Sequence, residues 1–162
     1  MKIHILVHSK TGNTRRFADA IGNRLTEAGH SVAVTTLSTL HPVKEGSVRA
    51  PQQIGFTNLP DISDCDLLVL GGPVWAFGPS PVIIAAVKQL GKLAGKTVVP
   101  FATMGFPFRC LGGNGALRAI AREAATLGGK IIPGGIARQM GGKLESDIAT
   151  LSAEIAARIP KA

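Results

Sequence analysis

Tyrosine is absent from this 162-residue chain, tryptophan occurs once and phenylalanine six times, so aromatic residues make up only 4% of it. A surface that stacks successive nucleobases needs more rings than that, and no nucleic-acid motif is present. Cysteine is scarce as well: Cys65 and Cys110 lie far apart, and with four scattered histidines they form no metal-ligand spacing. Long hydrophobic runs are missing. The longest, such as Val82 to Val87, fall far short of the ~20 residues that span a bilayer. The short apolar run Ile3 to Val7, interrupted by His4, is not a secretory leader. These absences lead us to expect a soluble, cytoplasmic protein with reduced thiols, no membrane span, no metal centre and no nucleic-acid partner. Acidic residues are also few, 10 against 18 Lys and Arg, which leaves a formal charge of +8. The excess sits in the second half: residues 1–81 carry a net +1 and residues 82–162 a net +7. An acidic redox partner or NADPH would be attracted there, and a merely solvated surface would look the same.

Apolar residues are plentiful at 45%, enough for one core, and we expect a single domain over residues 1–162. Two hydrophobic periods alternate along it. Ile3 to Val7 reads as a strand, followed by a helix with Phe17, Ile21, Leu25 and Ala28 on one face and Gly29 as its stop. Ser31 to Thr36 and Asp66 to Leu70 read as strands, the latter too continuously apolar to be exposed on either face. Ser80 and Pro81 open a helix carrying Ile83, Val87 and Leu90. Thr97 to Ala102 is a fourth strand, Asn114 caps a helix carrying Leu117, Ile120, Ala124 and Leu127, Lys130 to Ile132 is a fifth strand, and Leu144, Ile148, Leu151 and Ile155 mark a last helix. Leu37 to Asp64, with Pro42, Pro51 and Pro60, reads as an irregular crossover holding at most one short helix. Strands alternating with helices give an α/β fold, an open parallel five-stranded sheet covered on both faces.

Ligands of such sheets bind beyond the carboxyl ends of the strands. After the first strand comes Ser9-Lys10-Thr11-Gly12-Asn13-Thr14, hydroxyls and a permissive glycine at the positive end of a helix. That arrangement suits a phosphate, and an ordinary polar turn with a good cap would use the same residues. It is neither a Walker loop nor GxGxxG. After the third strand comes Gly71 to Pro79, with Pro73, Val74, Trp75, Ala76, Phe77 and Gly78, and after the fourth Thr103 to Gly113, with Met104, Gly105, Phe106, Phe108, Arg109 and Cys110. Four of the seven aromatic residues fall in these two loops, where they would wall a flat ring or plug the end of the sheet. His4 and His8 read as structural. Cys110 reads as a small buried residue at the mouth of a helix, with a redox thiol as the sharper alternative. No residue stands out as catalytic.

The loop Ser9 to Thr14 resembles the phosphate loop of flavodoxins (Ser/Thr-x-Thr-Gly-x-Thr), Gly72-Pro73-Val74-Trp75 resembles their first flavin wall, and Thr103 to Gly113 occupies the place of their second. The resemblance implies a three-layer flavodoxin-like fold with sheet order 2-1-3-4-5 that binds FMN. Its phosphate would lie on Ser9, Thr11, Gly12, Asn13 and Thr14, flanked by Lys10, and its isoalloxazine between the Trp75 loop and the Thr103–Cys110 loop. The chain departs from that family in lacking the acidic residue and stacking tyrosine of the second wall. Arg109 is the only charge in either wall. A cation ~4 Å from developing negative charge is worth ~1–4 kcal/mol at dielectric constants of 80 to 20, which would ease formation of the two-electron-reduced flavin. Three roles follow: an FMN electron carrier docking on a redox partner protein, an NAD(P)H-dependent FMN quinone reductase acting on a small acceptor, and a flavin-free binding module on the same fold.

Overall fold

The computed structural model describes residues 1–45 and 53–161. Strand β1 (Lys2–Val7) pairs in parallel with β2 (Ser31–Thr36) on one side and β3 (Leu67–Trp75) on the other. Beyond β3 lies β5 (Thr97–Met104), and beyond that β6 (Lys130–Ile131) and β7 (Gly135–Arg138) pair with successive parts of β5. Counting β6 and β7 as one interrupted edge strand, and leaving aside the short antiparallel β4 (Gly78–Pro79), the order is the expected 2-1-3-4-5. The interruption falls at Ile132-Pro133-Gly134. Val98 pairs with Ile131 but Phe101 with Gly135, so the edge carries one residue more than β5 does.

The pleat divides the core. Ile3, Ile5, Val7, Leu67, Val69, Val99 and Phe101 face α1 (Asn13–Glu27) and α4 (Leu144–Ala157). Leu6, Leu68, Leu70 and Val98 face α2 (Pro81–Gln89), α3 (Gly113–Thr126) and the crossover residues Leu37, Ile54 and Ile62. Phe17 of α1 meets Phe101 edge to face at 5.2 Å, a contact worth ~0.5–1.5 kcal/mol beyond the burial of its area. Ser80 caps α2 by accepting a hydrogen bond from the Val82 N–H, with Pro81 in the first turn, as the sequence predicts.

Four expectations need correction. Gly71 to Trp75 is strand rather than loop: β3 runs on to Trp75, turns through Ala76-Phe77 and returns as β4. Glycine there answers a close approach, since a Cβ on Gly71 would lie 2.1 Å from the Phe101 ring. Thr103 and Met104 likewise continue β5. Helix α3 starts at Gly113 with Gly112 as its N-cap, so Asn114 is inside the helix rather than its cap. Strand β7 was hidden by the Pro133-Gly134-Gly135 sequence. The crossover is irregular, with an antiparallel bridge between Thr39 and Phe56 and no helix among its described residues; residues 46–52, with Pro51, lie outside the described residues. No helix among the described residues is long and apolar enough to cross a membrane.

Candidate functional site

The carboxyl ends of β1, β3 and β5 converge on one cleft of about 220 Å³, lined by Lys10, Thr11 and Thr14, by Pro73, Val74 and Trp75, by Thr103, Met104 and Gly105, and by Glu45 and Gln139. At its polar end stands the start of α1. Gly12 caps that helix at φ +91 without a side-chain bond, and the Arg15 N–H donates to Ser9 Oγ at 3.2 Å. The amides of Asn13 and Thr14 have no acceptor within the helix, so they form an anion-seeking edge with the hydroxyls of Ser9 and Thr11. The helix end alone contributes ~0.3–1 kcal/mol. Lys10 adds little net charge because it pairs with Glu45 at 3.0 Å, both exposed. Thr14 is buried, and its Oγ1 shares a 2.7 Å hydrogen bond with Thr103 Oγ1, tying the loop after β1 to the end of β5.

The apolar end is formed by the β3–β4 hairpin. Ala76 and Phe77 have φ of 46° and 65°, as a two-residue primed turn requires. Neither is glycine or asparagine, and each left-handed residue costs roughly 1–2 kcal/mol. The turn is seated on α3: a Cβ on Gly112 would lie 2.5 Å from Phe77 Cα. Trp75 is buried, 8% exposed, and meets His8 edge-on at 5.0 Å. The Nδ1 of His8 forms a 2.6 Å hydrogen bond with Ser80 Oγ. Burial, aided by the charge of Lys10, pushes the His8 pKa down to about 4, so the ring is neutral at physiological pH and fastens β1 to the α2 cap. His4 hydrogen-bonds Thr35 at 2.9 Å across the β1–β2 pair. Each histidine thus joins two elements of the fold.

The sequence-selected residues therefore separate. Lys10, Thr11, Thr14, Pro73, Val74, Trp75, Thr103, Met104 and Gly105 line the cleft; Ser9, Gly12 and Asn13 belong to the same loop and helix start without lining it. Ala76, Phe77 and Gly78 form the hairpin tip, and Phe77, 63% exposed, stacks on Phe106 with 5.7 Å between centroids. Phe108, Arg109 and Cys110 are exposed on the outer loop. Cys110 is thus not the buried residue that the sequence suggested. Glu45 and Gln139 escaped sequence reasoning: one lies in the irregular crossover, the other just beyond the unrecognised β7.

A second polar cluster supports the rim. Arg138, at the end of β7, places Nε 2.7 Å from Asp147 Oδ2 and Nη2 2.9 Å from Oδ1, while its backbone N–H donates to Oδ2 at 3.0 Å. The Arg138 hydrogen bonds hold the mostly buried Asp147 carboxyl below the usual range.

A cleft with a helix-start anion seat at one end and Trp75, Val74, Pro73 and Met104 at the other fits a phosphorylated planar ligand such as FMN: unpaired amides and hydroxyls for the phosphate, apolar walls for the ring. Comparison with known proteins agrees. The sequence pattern of the family described as NADPH-dependent FMN reductase matches residues 1–139. Among solved structures, this chain is similar to oxidised flavodoxin 2 from Bacillus cereus (19% identity, TM-score 0.67, covering 98% of this chain and 100% of that one). It is also similar to two-electron-reduced flavodoxin from Megasphaera elsdenii (22%, 0.65, 96% and 98%) and to a flavodoxin from the domain Archaea (18%, 0.62, 98% and 98%). No curated protein sequence matches.

Proposed function

Because this chain belongs to the NADPH-dependent FMN reductase family, a flavin-binding redox family whose cofactor is FMN, we propose that it is an NAD(P)H-dependent oxidoreductase that reduces a small acceptor by two-electron transfer. Bound FMN would supply the chemistry of taking a hydride and passing the electrons on. The protein's own part is to hold and shield. The amides of Asn13 and Thr14 and the hydroxyls of Ser9 and Thr11 seat the phosphate, with Gly12 permitting the turn. Pro73, Val74 and Trp75 on one side and Thr103, Met104 and Gly105 on the other hold the ring and exclude water. Ala76, Phe77, Gly78, Phe106, Phe108, Arg109 and Cys110 form the outer rim through which donor and acceptor approach.

The observation that carries the two-electron reading is the charge of the cleft. Neither wall contains a carboxylate, and among the described residues the one carboxylate lining the cleft, Glu45, is already paired with Lys10. Without nearby negative charge, accumulation of negative charge on a reduced ring is not opposed. A one-electron carrier is the second reading, favoured by the similarity to flavodoxins over nearly the whole chain, including α4 beyond the family match. Anaerobic mixing of the FMN-loaded protein with NADPH and with NADH decides between them. Prompt loss of the flavin's visible absorbance, with turnover on a quinone, is the expected result. Reduction only through a separate reductase protein would overturn it in favour of the carrier.

A further inference from the structure

Three consecutive residues at the end of β7 each hold the second wall of the cleft. The Gln139 N–H donates to Met104 O at 2.9 Å, the Met140 N–H to Gly105 O at 3.2 Å, and Arg138 Nη1 reaches Pro107 O at 3.5 Å. Met104, Gly105 and Gln139 line the cleft, and Phe106 between them and Pro107 carries the ring that stacks on Phe77. Among the described residues, the backbone hydrogen bonds of the outer half of the same loop run within it and to the start of α3, through Leu111 N–H to Phe108 O and Asn114 N–H to Arg109 O, while the Arg109 charge also acts on Asp147. The position of the wall therefore depends on how firmly residues 138–140 are fixed.

Among the described residues β7 is an edge strand, and on its outer side the Arg138 N–H has no neighbouring strand. Asp147, in the first turn of α4, supplies the acceptor. It takes that N–H and two guanidinium bonds together, and its side chain is 10% exposed. The fork leaves Nη1 as the arm that reaches Pro107. Withdrawing the Asp147 carboxylate would release the backbone N–H and the fork at once, and would free the guanidinium whose Nη1 arm reaches Pro107.

We propose that Asp147 is a positioning residue for the flavin cleft: by locking Arg138 it sets residues 104–107, the wall against which the flavin ring is held. Asp147 lies beyond residues 1–139, the segment matched by the family pattern, so this support is supplied by the part of the chain outside that segment. The inference rests on the site assigned under Proposed function and is independent of which nicotinamide, if any, is the donor.

The test is an equilibrium titration of the FMN-free protein with FMN, read by quenching of flavin fluorescence, alongside amide hydrogen exchange. Asp147→Asn keeps the shape and removes the charge; it should weaken FMN binding about tenfold and speed exchange at residues 104–111, with exchange in β1 and β3 unchanged. Asp147→Glu should restore part of the affinity. If Asp147→Asn does not fold, Arg138→Lys serves instead: it keeps an ion pair but removes the arm to Pro107, and the same weakening is expected. Parent-like affinity in a folded variant would overturn the proposal, as would loss of protection spread evenly over the sheet. A parent protein that binds FMN but is not reduced by NADPH would refute the reductase reading and leave these measurements intact.

Discussion

Replacing His8 by Asn should flatten the acid limb of the stability curve, and the size of that change follows from where the ring sits. His8 is half-buried between Trp75 and Ser80, with Lys10 adding positive charge. Its pKa falls from 6.5 to about 4. At pH 7 the ring is neutral in both the folded and the unfolded chain, so it contributes no pH dependence. As pH falls below 6.5 the unfolded chain takes up a proton that the folded one refuses, and stability is lost until the folded pKa is reached. The displacement corresponds to about 3 kcal/mol at 1.36 kcal/mol per pH unit; discounting for partial solvent screening leaves about 2 kcal/mol. Asparagine places an acceptor near the position of Nδ1, so the bond to Ser80 can persist while the titration is abolished. Urea unfolding of both FMN-free proteins at pH 7.0, 5.5 and 4.5, with m-values compared to verify equal exposure, isolates the effect. Carboxylates and His4 titrate equally in both and cancel. The parent should lose about 1.5 kcal/mol more than the variant between pH 7 and 4.5, the remainder being lost below the folded pKa. A stability difference that stays constant over that range would refute the account of His8 as a neutral, desolvated fastener.

Trp75→Ala should weaken FMN binding by roughly 1–3 kcal/mol if the indole contacts the ring, and it should also lower apoprotein stability by ~3–5 kcal/mol because the side chain is buried; an unchanged FMN dissociation constant in the folded variant would remove Trp75 from the site. Gly71→Ala drives a methyl into the Phe101 ring, itself wedged against Phe17, and should cost at least the upper end of the ~1–3 kcal/mol typical of overpacking, measured by thermal or urea unfolding; near-parent stability would show that Phe101 can move aside. Thr14→Val leaves the buried Thr103 hydroxyl without its partner and should cost ~1–3 kcal/mol of stability, while a loss of FMN affinity in the same variant would show that the threonine also serves the phosphate.

Much of the scaffold is written locally. Ile3 to Val7 and the Leu67 to Leu70 run are largely apolar because sheet neighbours and helices cover them, whereas Ser31 to Thr36, at the edge of the sheet, mixes Val and Ala with Ser and Thr. Ser80-Pro81 signals a helix start by capping chemistry alone, and the polar loop between β1 and α1 keeps its place whatever the rest of the chain does. What stayed hidden depends on distant neighbours. Gly71-Gly72-Pro73 reads as a strand breaker, yet it is strand because Phe101 and Ile83 need the space that a side chain would fill. Trp75 looks like an exposed loop residue until β3 is seen to run through it, and its burial depends on His8, far away in sequence. Gln139 and Asp147 carry no motif; they matter because β7 pairs with β5 and ends beside α4. The loops that converge on the cleft were legible as candidates, whereas the division between cleft wall and outer rim was not.

The break in the outermost strand has a consequence for the molecule among its own kind. A foreign chain laid along β6 in register with Lys130 and Ile131 would find itself one residue out of phase on reaching Gly135, with apolar side chains turned to water and polar ones turned inward. Pro133 offers it no N–H, and the Arg138 N–H is already taken by Asp147. This side of the sheet is therefore a poor template for further strands, which should limit self-association through it during synthesis and refolding.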